Sequence, residues 1–212
     1  MRIAWTSPET LPIAANAGVG MLMTNQKSWD DYAGDVAAFN SIRARNGLEP
    51  TQPTVVIRMV CAETEEEAWE AMKVHSLEAG ESSKHHYQFD DPERFKNTKG
   101  YEQYAKLSNA ITDQETLAQK SARPQAYGTP DQVFEKLKEV QAKTSAEEFV
   151  LNVRFGAMPI EQAERSMRLF AKEVLPRLHE LDTPLADSMR GGAEGAGHVA
   201  FGGAEEPTRL GL

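Results

Sequence analysis

The sequence is poor in the features that mark secreted, membrane-bound or nucleic-acid-binding proteins. It has a single cysteine among its 212 residues, so no internal disulfide can form, which favours a reducing, cytoplasmic setting. No stretch approaches the roughly 20 continuous apolar residues of a membrane span, and the first residues do not resemble a signal peptide. The 23 basic residues are dispersed and outnumbered by 32 acidic ones, which argues against a nucleic-acid partner. We therefore expect a cytoplasmic protein whose partners are neither nucleic acid nor membrane.

What the sequence does contain is an alternation of short β-rich runs and helical segments. The third and fourth runs are the strongest, because they are dense in β-branched and aromatic residues. Each run is followed by apolar residues at helical spacing. The four predicted strands are Arg2–Trp5, Val19–Met23, Thr54–Val60 and Glu148–Arg154.

Capping signals mark where three of the helices begin. Ser28 precedes a helix with a periodic apolar face, and Thr64 precedes one whose first turn is acidic, where the helix dipole favours negative charge. Thr129 opens the capping box Thr-Pro-Asp-Gln, which has proline at the first helical position. An apolar stripe that starts at Ile160 predicts a last helix running to about Pro176.

The order of these elements predicts an α/β fold with a parallel sheet and right-handed crossovers. Two architectures fit this order: a small doubly wound sheet, or part of a TIM (β/α)8 barrel. A complete barrel takes eight strands and about 250 residues, whereas about 180 ordered residues carry four strands here. We predict half of such a barrel over residues 1–182, with a loop insertion at about 81–126 and a disordered tail at 183–212.

The stretch Thr-Ser-Pro-Glu-Thr directly follows the first predicted strand and is the best candidate for a binding site. A strand end that feeds a helix N-terminus offers backbone N–H groups and the positive end of the helix dipole to a phosphate. The hydroxyl groups of Thr6, Ser7 and Thr10 can reach the same anion. The same residues also suit a simple helix cap. Pro12 then requires the helix to begin late or to bend.

The other chemically active side chains favour structural roles. His75, His85 and His86 match no zinc-ligand spacing, so no metal site is expected. Cys61 ends the third strand among glutamates, which raise a thiol pKa, so a buried filler is more consistent than a nucleophile. Arg154 ends the fourth strand, where a barrel carries its site, and either contacts an anion or is simply exposed.

Three stretches, in this order, resemble the C-terminal part of the bacterial-luciferase-like flavin-dependent monooxygenases. The first, AWTSPETLPIAANAGVGMLM, is similar to that family's fifth strand, phosphate-binding turn, Ala-rich helix and sixth strand. The second, VVIRMVCAETEEEAWEAM, resembles its seventh strand and the acidic helix behind it. The third runs from YGTPDQVFEKLKEV through EEFVLNVRFGAMPIEQAERSMRLFAKEVLPRL and resembles the eighth strand with its flanking helices. Together they cover about residues 2–180.

The resemblance implies a (β/α)8 barrel that uses reduced FMN, or in some relatives the deazaflavin F420. Such proteins act on small organic substrates with O₂ or by hydride transfer, and a separate flavin reductase can supply the reduced flavin. The resemblance places Thr6, Ser7 and Thr10 at the flavin phosphate, which backbone N–H groups largely hold. Strands one to four of the family have no counterpart in this sequence, so no catalytic residue is assigned.

An isolated half-barrel leaves unpaired strand edges and an open apolar face. The chain is therefore expected to form a homo-oligomer, to pair with a missing N-terminal half, or to fold poorly. Its function is then that of an incomplete flavin-dependent monooxygenase, weakly active or inactive alone. The alternative is a non-catalytic flavin-binding or interaction module that complements a separate N-terminal half. A small doubly wound domain that binds another phosphorylated ligand at Ser7 also stays open.

Overall fold

A computed structural model describes residues 1–4, 10–24, 28–88 and 114–191, without the side chains of residues 114–117. In these ranges five strands alternate with seven α-helices, and a short 3-10 helix follows at Asp187–Met189. The strands are β1 (Arg2–Ala4), β2 (Gly20–Thr24), β3 (Thr54–Cys61), β4 (Ala126–Gly128) and β5 (Glu148–Asn152). The helices are α1 (Thr10–Asn16), α2 (Trp29–Arg45), α3 (Glu65–Tyr87), α4 (Gln114–Ala122), α5 (Pro130–Thr144), α6 (Ile160–Glu173) and α7 (Leu175–His179).

The strands form one parallel sheet. β1 pairs with β2, β2 with β3, and β3 with β5, each in parallel register. The short β4 pairs with the last three residues of β3, beyond the part that pairs with β5. Four parallel strands with helical crossovers are half of a (β/α)8 barrel, so the predicted fold class is confirmed.

The capping residues that the sequence indicated begin their helices as predicted. Ser28 Oγ accepts a hydrogen bond from the Asp31 N–H at 3.3 Å, and Thr64 caps α3 in the same way. At α5 the Thr129 N–H donates to Gln132 Oε1 at 2.9 Å, which is one half of the reciprocal capping box. Each cap satisfies backbone N–H groups that the first turn of a helix cannot satisfy itself.

One face of the sheet is covered by helices α1, α2 and α5 and carries the main core. Every second strand residue points into this layer, because successive side chains of a strand alternate between the two faces. These residues are almost fully buried, at 1% exposure or less: Met21, Met23, Val55, Ile57 and Met59. This packing determines which strand residues face the opposite side.

The opposite face, here called the inner face, corresponds to the interior of a complete barrel. Its residues lie side by side across the sheet, with Leu22 beside Thr54, Thr54 beside Glu148, and Val56 beside Val150. Leu22 and Val56 are only half-buried, and Val150 is 49% exposed. In the single chain the inner face is therefore an incompletely covered apolar surface.

A second, smaller core lies at the carboxyl end of β3. Val60 packs there against Met72 of α3 and against Phe155 and Met158 of the loop after β5. All four side chains are at least nine-tenths buried. The loop after β5 therefore crosses the end of β3 and fastens α3 at the edge of the sheet where parallel barrels carry their sites.

The structure adds elements inside the segment predicted as a loop insertion. α3 continues to Tyr87, and α4 forms before β4 begins at Ala126. β4 was not predicted, because three residues that include alanine and glycine carry little strand signal. β5 also ends at Asn152, two residues earlier than predicted.

The first residues of the predicted tail pack against the domain. Asn40 Nδ2, fully buried in α2, donates to the carbonyl oxygen of Met189 at 2.7 Å. Met189 itself is 5% exposed. Residues 183–191 are thus part of the folded unit, in contrast to the predicted start of a disordered tail at 183, and the rest of that tail lies outside the described residues.

Candidate functional site

The predicted phosphate turn lies, in the sequence, between β1 and α1. Thr6 and Ser7 lie outside the described residues, so only the position of their segment is established. Thr10 is the first residue of α1. Pro12 is the third residue of this helix, where a backbone N–H has no intrahelical partner in any case. Because α1 begins only at Thr10, Pro12 falls in its first turn, where a proline is compatible with the helix.

Arg58 is a functional candidate that the sequence analysis did not single out. It lies on the inner face of β3, level with Asn152 of β5, and its backbone N–H donates to Gln125 Oε1 at 2.8 Å. Partial burial of the guanidinium lowers its pKa. Among the described residues no carboxylate pairs with Arg58. A partly desolvated cation that no described carboxylate neutralises is suited to an anionic ligand at this edge of the sheet.

Phe155 holds this arginine from one side. The guanidinium carbon of Arg58 lies 5.0 Å from the centre of the Phe155 ring, which is within cation–π range. Arg154, the predicted candidate, is exposed and donates from Nε to the carbonyl oxygen of Met158 at 3.0 Å. Of the two alternatives for Arg154, the structure favours the exposed one, whereas Arg58 lies on the inner face.

A buried histidine cluster joins α3 to α6. His75 Nδ1 lies 2.7 Å from Glu78 Oε2, and His75 Nε2 lies 3.1 Å from Gln162 Oε1. The Ala157 N–H also donates to Glu78 Oε2 at 2.8 Å. The hydrogen bonds from His75 and Ala157 lower the pKa of Glu78. Both ring nitrogens of His75 and the Oε2 oxygen of Glu78 have partners within the cluster, so the cluster fastens α3 to α6 and to the loop after β5.

Cys61 is buried, as predicted, and its surroundings disfavour the thiolate. Burial, and secondarily the charges of Glu63 and Glu173, raise its pKa to about 12. Its backbone N–H donates to Ser166 Oγ at 2.8 Å, which docks α6 on β3. Across the described ranges, no three His, Cys, Asp or Glu side chains come together as metal ligands. Nor does any helix of those ranges have the length and apolarity to cross a membrane.

A cavity of about 410 Å³ lies elsewhere, between α5, α6 and the turn after β3. Its cations are already paired: Arg177 lies 2.7 Å from an Asp131 oxygen, and Lys172 lies 2.6 Å from a Glu173 oxygen. Paired charges leave little attraction for a further anion. The lining residues are Glu63, Pro130, Asp131, Leu169, Lys172, Glu173 and Arg177.

Comparison with known proteins identifies, over most of the chain, the family that the sequence resembles. The family model described as luciferase-like monooxygenase matches residues 2–147. Among curated proteins, no sequence matches. The predicted resemblance is therefore confirmed at the level of the family.

Solved structures give the same fold. The monooxygenase RslO1 from Streptomyces bottropensis is 21% identical, with a TM-score of 0.56 over 84% of this chain and 47% of its own. The oxygenating constituent of 3,6-diketocamphane monooxygenase from Pseudomonas putida, solved with FMN, is 18% identical. The match has a TM-score of 0.57 and covers 86% of this chain and 48% of that protein. The coenzyme F420-dependent tetrahydromethanopterin reductase from Methanopyrus kandleri is 16% identical. The match has a TM-score of 0.51 and covers 83% of this chain and 50% of that protein.

This chain thus spans about half the length of the structures it resembles. At these identities the structural likeness establishes the fold alone, and the family rests on the match of the family model to more than half of the chain. Both agree with the parallel half-barrel of the structure. The chain belongs to the luciferase-like monooxygenase family.

Proposed function

We propose that this chain is the flavin-binding C-terminal half of a luciferase-like flavin-dependent monooxygenase, which oxidises a small organic substrate with reduced FMN and O₂. The observation that carries the proposal is the family match over residues 2–147, on a half-barrel with an unpaired arginine on its inner face among the described residues. Bound reduced flavin would supply the electrons for oxygenation. The protein's own residues would hold and orient it.

The flavin phosphate binds at the turn of Thr6, Ser7 and Thr10. Support comes from the position of this turn between a strand end and a helix, and from its resemblance to the phosphate turn of the family. Backbone N–H groups at such a junction suit an anion, and hydroxyl groups add hydrogen bonds.

Arg58 orients the same ligand from the middle strand. Adjacent strands lie about 4.8 Å apart, so β3 is about 10 Å from β1, a separation that one flavin-sized ligand can bridge. A cation beside a flavin can tune its electronics. Because Phe155 supports its guanidinium, Arg58 presents its charge in a defined position.

FMN is the proposed cofactor, and F420 is the alternative. One structurally similar protein was solved with FMN, and another is named as F420-dependent. A separate flavin reductase would provide the reduced flavin, and the single buried cysteine is consistent with work in the cytoplasm.

The chain alone is proposed to be weakly active or inactive. It spans about half of the structures that it resembles, and family strands one to four have no counterpart in it. The second candidate is a non-catalytic flavin-binding or interaction module that complements a separate N-terminal half. The uncovered inner face favours this candidate as much as the first. Substrate oxidation by the chain with reduced FMN and O₂ would exclude the second candidate, whereas an inactive chain is compatible with both.

The test is a titration of the purified chain with FMN and with reduced FMN, followed by flavin fluorescence and absorbance. A Ser7→Asp variant places a negative charge in the turn and should abolish binding. Ser82→Asp, on the exposed surface of α3, adds the same charge elsewhere and should leave binding unchanged. Equal binding by the Ser7→Asp variant and the parent chain would exclude the phosphate turn as the site.

A further inference from the structure

The loop after β5 is a tight turn that a carboxylate of α3 holds by its backbone. The Met158 N–H donates to the Phe155 carbonyl oxygen at 3.3 Å, which closes a four-residue turn. Inside this turn the Ala157 N–H donates to Glu78 Oε2 at 2.8 Å. Glu78 therefore binds the chain two residues beyond Phe155, the residue whose ring supports Arg58.

The Glu78 carboxylate is itself held in place by His75. The same Oε2 atom lies 2.7 Å from His75 Nδ1, and His75 Nε2 lies 3.1 Å from Gln162 Oε1. The hydrogen bonds from His75 and Ala157 lower the pKa of Glu78, so the group is a carboxylate at neutral pH. A carboxylate offers only acceptor atoms, so Nδ1 carries the proton of this contact. The carboxylate thus connects the turn to α3 and, through the histidine, to α6.

Gly156 brings the turn into direct contact with the helix. Its φ is +60°, and a Cβ atom there would lie 2.4 Å from the His75 carbonyl oxygen and 2.8 Å from Glu78 Oε2. The backbone of the turn therefore approaches α3 as closely as a glycine permits. Without the carboxylate, the Ala157 N–H would lose its partner, and the turn would have to shift to hydrogen-bond with water.

Arg58 is held at two points, and one of them belongs to this turn. Its backbone N–H donates to Oε1 of Gln125, which is 1% exposed, so the strand is fixed at that residue. Its guanidinium carbon lies 5.0 Å from the centre of the Phe155 ring. An arginine side chain is long and has many rotamers, so the backbone contact alone does not determine where its charge lies. The position of the guanidinium therefore depends on Phe155.

We propose that Glu78 is a positioning residue for Arg58: its carboxylate holds the turn, and the turn holds Phe155 against the guanidinium. The small core at the end of β3 packs the Phe155 ring, and the Glu78 contact fixes the backbone that carries this ring. Loss of the carboxylate should therefore displace the Arg58 charge while the chain stays folded. The consequence for a ligand rests on the proposed function, in which Arg58 orients the flavin.

The first measurement is the Arg58 Nε–H signal in a proton–nitrogen NMR spectrum of the full chain, identified by its absence in Arg58→Lys. The ring current of Phe155 shifts this signal, so Phe155→Leu should return it toward the ordinary arginine position. Glu78→Ala should shift it in the same direction. Glu78→Gln keeps an acceptor oxygen at the same distance from the helix and should give an intermediate position. Glu164→Ala, which removes an exposed carboxylate of α6, is the matched control and should leave the signal unchanged.

The second measurement is the affinity of the same variants for FMN. Arg58→Gln removes a charge that contacts the ligand and should weaken binding about tenfold. Glu78→Ala only displaces that charge and should weaken binding less, by about threefold. Because Glu78 acts through Arg58, the double variant should bind FMN no more weakly than Arg58→Gln alone. Glu164→Ala should bind FMN as the parent chain does.

The two measurements separate the positioning role from the proposed function. A shifted Arg58 signal in Glu78→Ala, in a parent chain that binds no FMN, would support the positioning role and contradict the proposed function. An unchanged signal in a folded Glu78→Ala chain would overturn the positioning role. So would a further loss of FMN affinity in the double variant, because Glu78 would then act by another route. Circular dichroism checks the fold of each variant, and Glu78→Gln replaces Glu78→Ala in the comparison if the latter does not fold.

Discussion

The guanidinium of Arg58 rests on the ring of Phe155, with 5.0 Å between its carbon and the ring centre. Arg58 belongs to the middle strand and Phe155 to the loop after the last strand, so this contact joins two parts of the chain almost a hundred residues apart. Phe155 is 6% exposed and also packs in the small core at the end of β3. The Arg58 cation is therefore positioned by an apolar cluster.

Truncation of Phe155 should destabilise the domain. Phe155→Ala removes a buried aromatic side chain and leaves a cavity, which costs about 3–5 kcal/mol. Phe155→Leu keeps most of the apolar volume and should cost clearly less. Urea denaturation followed by circular dichroism measures both. A Phe155→Ala variant as stable as the parent would show that the loop does not pack on Arg58 in solution.

Two glycines should respond in opposite directions to the same substitution. Gly156 has φ +60°, and a Cβ atom there would lie 2.4 Å from the carbonyl oxygen of His75, so Gly156→Ala should be strongly destabilising. Gly80 lies within α3, and a Cβ atom there meets nothing within 4 Å. Gly80→Ala should therefore stabilise the chain by up to about 1 kcal/mol. Thermal unfolding of the Gly156→Ala and Gly80→Ala variants tests how closely the loop approaches α3. Equal decreases in melting temperature for the two variants would contradict the close contact at Gly156.

Glu78 should make the docking of α3 depend on pH. Hydrogen bonds from His75 and Ala157 lower its pKa in the folded chain, so its carboxylate stabilises the fold above the ordinary glutamate pKa. This contribution is lost as the pH falls from about 4.3 through the lowered pKa. Glu78→Gln should cost about 1 kcal/mol at neutral pH, since the carboxylate is partly exposed.

The check is the difference in unfolding free energy between the parent chain and Glu78→Gln across pH. The difference should be present at neutral pH and should shrink in acid. Glu164→Gln, which breaks an exposed pair with Arg168, is the control and should change stability little at any pH. If the difference in unfolding free energy between the parent chain and Glu78→Gln stayed constant into acid, the stabilising role of the Glu78 carboxylate would be contradicted.

Cys61 should not react with thiol reagents while the chain is folded. The pKa of about 12 leaves almost no thiolate at mildly alkaline pH, and the side chain is 2% exposed. A colorimetric thiol assay should find no reactive thiol in buffer and one per chain in denaturant. Fast labelling in buffer would mean that α6 does not dock on β3 at Ser166.

Local sequence signals were sufficient to predict where three helices begin and that the chain forms half of a barrel. Ser28, Thr64 and Thr129 cap helices because their side chains satisfy the first N–H groups, a requirement that involves only a few neighbouring residues. The long strand β3 has a clear signal because most of its residues are buried and β-branched or otherwise apolar. Such features depend little on the rest of the fold.

The inner-face site could not be predicted, because it depends on contacts between distant segments. In the sequence Arg58 is one charged residue inside a hydrophobic strand, and only the register with β5 and the return of Phe155 show its surroundings. β4 is stabilised by pairing with the end of β3 and lacks a strand signal of its own. Residues 183–191 show no periodic pattern in the sequence, but Asn40 donates to the carbonyl oxygen of Met189 and fixes their backbone.

The most direct test of the account compares the affinity of the chain for FMN and for riboflavin, which differ only by the phosphate. A phosphate held by charge-assisted hydrogen bonds contributes about 1.5–3 kcal/mol for each bond, so FMN should bind at least about tenfold more tightly. Raising the salt concentration should reduce this preference. A preference for FMN would place the phosphate in the chain's own site. Equal affinity for both flavins, or no binding of either, would contradict a phosphate turn that functions in this chain.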